Sequence, residues 1–169
     1  MCIIYNRYLN VLKTNAEDVS KTLAEKGINV EKTKCENVLK ISDFGDVSKL
    51  PEYKDGLITP QGLSSYMAAS AVEPKKGEFI MDLCSAPGGK TTAMAEMCGD
   101  GATIYAFDLF DHKIELINNN CKRLGIKNVT AKAQDGTVLM GDFVGKADKI
   151  LADVPCSGLG IIRKKPDIK

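Results

Sequence analysis

The chain has 169 residues, 23 Lys+Arg against 22 Asp+Glu, one His, 44% hydrophobic residues, 15 Gly and no Trp. This composition sets aside disorder, collagen and a disulfide scaffold, and a formal net charge of +1 argues against wholesale electrostatic capture of nucleic acid. Apolar runs such as 79–81 and 150–152 fall far short of the roughly 20 residues that a membrane span needs.

The start, Met1-Cys2-Ile3-Ile4-Tyr5-Asn6-Arg7, has neither a basic n-region nor a long apolar stretch, so no secretory signal is expected and a cytoplasmic location is. Cys2, Cys35, Cys84, Cys98, Cys121 and Cys156 form no C-x-x-C pair, and His112 has no partner histidine. This predicts no metal site, reduced thiols and mostly buried cysteines. Arg163, Lys164, Lys165 and Lys169 make one local basic patch, although a charge run is usually just a solvated face.

In chain order, Leu9 to Leu12 reads as a short strand. Thr14-x-x-Glu17 reads as a capping box opening a helix with Ala16, Val19 and Leu23 inward, which Gly27 ends. Val38 to Ile41 and Leu57 to Thr59 read as strands joined by a polar connection over 43–55. Residues 1–60 are therefore expected to form a small α+β unit.

From 61 to 169 the character changes. A helix over Gln61 to Val72, with Leu63, Met67, Ala68 and Ala71 on one face, is stopped by Pro74-Lys75-Lys76-Gly77. Strand and helix then alternate: strand Phe79–Leu83, helix Lys90–Met97, strand Thr103–Phe107, helix Asp111–Leu124, strand Val129–Ala133 and strand Lys149–Asp153. Ile114, Ile117, Cys121 and Leu124 form a stripe on the second of these helices. Alternation of this kind predicts an α/β fold with a Rossmann-like parallel sheet. Four strands are few for a doubly wound sheet, so the sheet is expected to be incomplete and the chain part of a longer protein.

The densest chemical signal is Asp82-Leu83-Cys84-Ser85-Ala86-Pro87-Gly88-Gly89-Lys90-Thr91-Thr92, between the first of these strands and its helix. Glycines permit a tight turn and close approach of a ligand, and the helix start offers free N–H groups. A plain strand-to-helix turn is the bland alternative. A phosphate-gripping P-loop needs G-x-x-x-x-G-K-[ST], but Cys84 stands where the first Gly belongs, and the dinucleotide fingerprint G-x-G-x-x-G is absent. A nucleoside without a diphosphate remains, S-adenosylmethionine being the common one.

Asp108 lies twenty positions after Gly88, where an acidic residue meets ribose hydroxyls in nucleotide-binding α/β folds. Asp135 follows the third strand and Asp153 ends the fourth, so all three are placed at the ligand-binding edge, although each also fits a turn or helix cap. Asp153-Val154-Pro155-Cys156-Ser157-Gly158 sets a thiol near a carboxylate in a tight turn, a candidate for thiolate chemistry.

The run 82–91, with Asp153-Val154-Pro155-Cys156-Ser157-Gly158 and Arg163-Lys164-Lys165-Pro166-Asp167, resembles the RNA 5-methylcytosine methyltransferases of the NOL/NOP/Sun family. The resemblance implies S-adenosylmethionine contacts at Cys84, Ser85, Ala86, Pro87, Gly88, Gly89, Lys90, Asp108, Asp135 and Asp153, and an RNA-binding role for 1–60. It also implies that a cysteine thiolate adds to C6 of cytosine, that C5 takes the methyl group, and that a base removes the C5 proton. Asp153 would hold an unpaired or flipped cytosine and Cys156 would assist product release, the attacking cysteine lying in a later Thr-Cys-Ser motif. That motif is absent from this sequence, so the chain is expected to be a fragment without its nucleophile.

Ribosomal RNA is the expected substrate through the resemblance alone. Two other readings remain open: a non-catalytic RNA-binding module with a vestigial cofactor pocket, and a small-molecule methyltransferase.

Overall fold

The computed structural model describes residues 5–154, with backbone only for 5–8. Pro155 to Lys169 fall outside it, and with them Cys156 and the basic patch at 163–169.

The N-terminal unit is built on four antiparallel strands, β1 (Tyr5–Leu9), β2 (Asn29–Lys32), β3 (Val38–Ser42) and β4 (Ile58–Pro60), in the order β2-β3-β1-β4. Helix α1 (Ala16–Glu25) covers one side through Val19 and Leu23, which join Leu9, Ile28, Leu39, Ile41 and Ile58 in a core. Three expectations are corrected here. The first strand ends at Leu9, and residues 11–13 turn. The cap of α1 is Asn15, not Thr14: its Oδ1 accepts from the Glu17 and Asp18 amides at 3.0 Å each, and its Nδ2 donates to Asp18 Oδ2 at 2.7 Å. Asn is the stronger N-cap, and the shift leaves Val19 and Leu23 facing inward. Strand β2 was not expected at all. The 43–55 connection also holds a 3₁₀ turn at Val47–Lys49 and a short helix, α2 (Pro51–Lys54).

The second unit begins with α3 (Leu63–Ala71), shorter at both ends than 61–72. Its inward residues are Tyr66 and Ala69, whereas Met67 is 56% exposed, so the stripe through Met67 is one turn-face off. Four parallel strands follow, β5 (Phe79–Asp82), β6 (Thr103–Asp108), β7 (Val129–Ala133) and β8 (Lys149–Leu151), ordered β7-β6-β5-β8. Helices α4 (Gly89–Met97) and α5 (Asp111–Leu124) connect them.

Ile80 pairs with Ile104 in register, and alternation sends these with Ala106 toward the helices. There they meet Met94, Ile117, Cys121 and Leu124. Helix α4 is buried along Thr91 to Glu96, and its Thr and Ala residues let it sit close between α3 and α5. On the opposite face Phe79, Tyr105 and Phe107 cluster with Phe143, with ring centroids 4.9 to 6.0 Å apart. Among the described residues no helix is long and apolar enough to cross a membrane.

Candidate active site

The carboxyl ends of β5, β6 and β7 and the chain leaving β8 surround a cavity of about 520 Å³, a volume in the range of small-molecule sites. Its wall takes Cys84, Ala86, Asp108, Asp135 and Asp153 from the residues singled out in the sequence. Leu109, Phe110 and Lys113 complete much of the remainder.

Asp108 is the best-determined of these side chains. Its Oδ2 accepts from the Ala86 amide at 3.1 Å, and its Oδ1 accepts from the Leu109 amide at 2.9 Å and from Lys113 Nζ at 3.0 Å. Burial alone would raise its pKa, but the Lys113 ammonium and the two amides outweigh it and hold the carboxyl below the usual value. Asp108 thus presents an ionised acceptor at the cavity and ties the glycine-containing loop to the end of β6.

Asp82 lies beneath that loop and is 1% exposed. Its Oδ2 accepts from Thr91 Oγ1 at 2.7 Å, while its Oδ1 is buried with no well-formed hydrogen bond. Desolvation pushes its pKa up to about 6, offset in part by Thr91 and by the charge of Lys90. The Cys84 amide, also bonded to this carboxylate, lowers the pKa further, but burial prevails.

The rest of the loop forms the support behind the cavity wall. Ser85 is buried, with Oγ donating to the Phe107 carbonyl at 2.8 Å and its amide to the same oxygen at 2.9 Å. Its hydroxyl is therefore committed to the sheet. Pro87 follows a cis peptide bond and offers its carbonyl to Asn120 Nδ2 at 2.8 Å. Gly88 has φ +101°, and a Cβ there would stand 3.3 Å from the Ile117 Cα, so both conformation and space favour glycine. Gly89 opens α4 beside Gln61, whose Nε2 and Oε1 are buried without hydrogen-bond partners. Lys90 pairs with Asp153 at 2.6 Å, and Asp153 remains 55% exposed.

Asp135 holds its own turn, accepting from the Thr137 amide at 2.8 Å and hydroxyl at 2.7 Å, and those two bonds lower its pKa. Cys84 has its pKa raised by burial and then by the charges of Asp108 and Asp82, so it is a thiol at neutral pH. Cys156 lies outside the described residues. Sequence reasoning missed Lys113 and the burial of Asp82. A lysine in the first turn of a helix that follows a strand-end aspartate was the available signal for the former.

The description "16S rRNA methyltransferase RsmB/F" belongs to the family model that matches residues 69–169. The chain belongs to this family. A probable ribosomal RNA small subunit methyltransferase B of Bacillus subtilis is 34% identical over 95% of the chain and 36% of its own length. A human 28S rRNA (cytosine(4447)-C(5))-methyltransferase is 34% identical over 95% of the chain and 20% of its own length. The crystal structure of a methyltransferase homolog protein from Pyrococcus horikoshii has a TM-score of 0.85 at 31% identity, covering 95% of the chain and 53% of that protein. The chain thus spans about a third of the bacterial relative and a fifth of the human one. Among its described residues no cluster of His, Cys, Asp and Glu is arranged to hold a metal ion.

Proposed function

We propose that this chain holds S-adenosylmethionine in the cavity at the strand ends and forms the cofactor half of a cytosolic enzyme that methylates C5 of cytosine in ribosomal RNA. The observation that carries the proposal is Asp108. It is an ionised carboxylate fixed on the cavity wall at the end of β6, behind a Gly-Gly loop that lacks a diphosphate-binding fingerprint. The rRNA cytosine-C(5) specificity in the name of the human relative supports the substrate.

The residues present fit this cofactor. Asp108 would accept from ribose hydroxyls, and Leu109 and Phe110 would offer their exposed apolar surface to a purine on the same wall. When bound, S-adenosylmethionine supplies an electrophilic methyl group. Asp153, paired with Lys90 and more than half exposed, is proposed to hold the exocyclic amine of an extruded cytosine. The only cysteine on the cavity wall among the described residues is Cys84, whose pKa is raised by burial and by the charges of Asp108 and Asp82, which does not favour it as the thiolate that adds to C6. The small antiparallel unit is proposed to engage the RNA.

Photo-crosslinking of tritiated S-adenosylmethionine tests the ligand class. The proposal expects labelling of the chain that S-adenosylhomocysteine suppresses and that ATP and NAD do not. Equal suppression by ATP, or no labelling of the folded chain, would refute it.

A further inference from the structure

Helix α5 touches both the cavity and the N-terminal unit, and it is fastened at each by side chains with few alternatives. Its first turn and the residues just before it, from Asp108 to Lys113, supply much of the cavity wall. Midway, Ile117 lies against Gly88, and Asn120 Nδ2 donates to the Pro87 carbonyl at 2.8 Å.

At its carboxyl end, Arg123 reaches into the N-terminal unit. Nη1 donates to the carbonyls of Tyr53 at 2.9 Å and Ile58 at 3.1 Å, and Nη2 donates to Thr59 Oγ1 at 3.0 Å. The guanidinium sits 4.1 Å above the centre of the Tyr53 ring. The terminal carbonyls of α5, normally left to solvent, are taken by the same unit. Lys13 Nζ donates to the Arg123 carbonyl at 3.0 Å, and the buried Asn10 Nδ2 donates to the Leu124 carbonyl at 2.9 Å. Gly56 packs so closely that a Cβ would stand 2.2 Å from the Arg123 oxygen.

Asn120 joins the two attachments. Arg123 Nη2 donates to its Oδ1 at 3.3 Å. Since arginine carries donors only, this contact fixes the amide with its oxygen toward Arg123, and its nitrogen is then aimed at Pro87. Among the described residues only Arg123 donates to Oδ1, while the Pro87 carbonyl, an acceptor, takes the nitrogen on the other side.

We propose that Asn120 and Arg123 are positioning residues that make the placement of the loop over Ser85–Gly89 depend on the docking of the N-terminal antiparallel unit. The consequence for ligand affinity rests on the cofactor reading above. A ligand that shifts the N-terminal unit is then felt at the cofactor loop, and by reciprocity the cofactor is felt at that unit.

The test is hydrogen exchange on the ligand-free chain, followed by calorimetric titration with S-adenosylmethionine. Asn120→Asp keeps an acceptor for Arg123 but loses the donor to Pro87, and Arg123→Met keeps the stem over Tyr53 without its donors. The Ala86 and Gly88 amides, bonded to Asp108 Oδ2 and the Ser85 carbonyl, are the reporters. Both variants are expected to exchange there about three- to ten-fold faster, the factor for one lost hydrogen bond, with Ile80 and Ile104 unchanged. Cofactor affinity should fall by a similar factor.

Unchanged loop exchange in Asn120→Asp, with intact strand protection, would overturn the proposal even if Arg123→Met fails to fold. Faster loop exchange with unaltered affinity would overturn its link to the cofactor. Faster exchange in a chain whose wild type binds no S-adenosylmethionine would uphold the coupling and refute the cofactor reading.

Discussion

Replacing Asp82 by Asn should stabilise the chain at neutral and alkaline pH. Burial raises the folded-state pKa of this carboxyl to about 6 from an ordinary 3.8, despite the hydrogen bond from Thr91. A group whose pKa is raised by folding stabilises most below its unfolded pKa, and that contribution is lost as pH climbs through the folded value. Wild-type stability should therefore fall between about pH 4 and 6 on account of Asp82, with the full penalty present above that window. The separation of the two pKa values corresponds to about 3 kcal/mol. Asn keeps the size and the acceptor for Thr91 but carries no charge to desolvate.

Urea unfolding of both proteins at a series of pH values measures the difference directly. The curves should coincide near pH 4 and separate above pH 6, with Asp82→Asn more stable by up to about 3 kcal/mol. A stability difference independent of pH would refute the reasoning, since only titration of Asp82 makes it vary.

Lys113→Met should raise the Asp108 pKa, but only part of the way, because the Ala86 and Leu109 amides remain bonded to the carboxylate. An NMR titration of the Asp108 carboxyl carbon reads this, and an unshifted midpoint would contradict the assignment of Lys113. Gly56→Ala should cost more than about 2 kcal/mol by urea unfolding, since a left-handed conformation alone costs an L-residue about 1 to 2 kcal/mol. Here φ is +70° and the new methyl would also strike the Arg123 carbonyl. A loss under 1 kcal/mol would show that α5 and the N-terminal unit separate easily.

The parallel half of the fold was legible because strand and helix alternate regularly there, β5 and β6 are mainly apolar, and α5 carries a clear stripe ending at Gly125. The N-terminal half was less so. Strand β2 is an edge strand with no buried residue, so Asn29-Val30-Glu31-Lys32 carries no alternation to read. On α3, several small apolar residues fit more than one face, and packing against α4 selected the one with Tyr66 and Ala69.

At the site, strand-end position was enough to bring Asp108, Asp135 and Asp153 to one cavity. Position could not show that Ser85 bonds inward to the Phe107 carbonyl, because Cys84 and Ser85 are neighbours in one turn and tertiary contact decides which of them faces the cavity. The attachment of Arg123 to residues 53, 58 and 59 was illegible for the same reason: partners some 65 positions away leave no periodic trace.

The most direct test of the central claim is calorimetric titration of the chain with S-adenosylmethionine, beside an Asp108→Ala variant shown to be folded. The account predicts binding by the wild type that is lost in the variant. Absence of binding by the folded wild type, or equal binding by both, would contradict it.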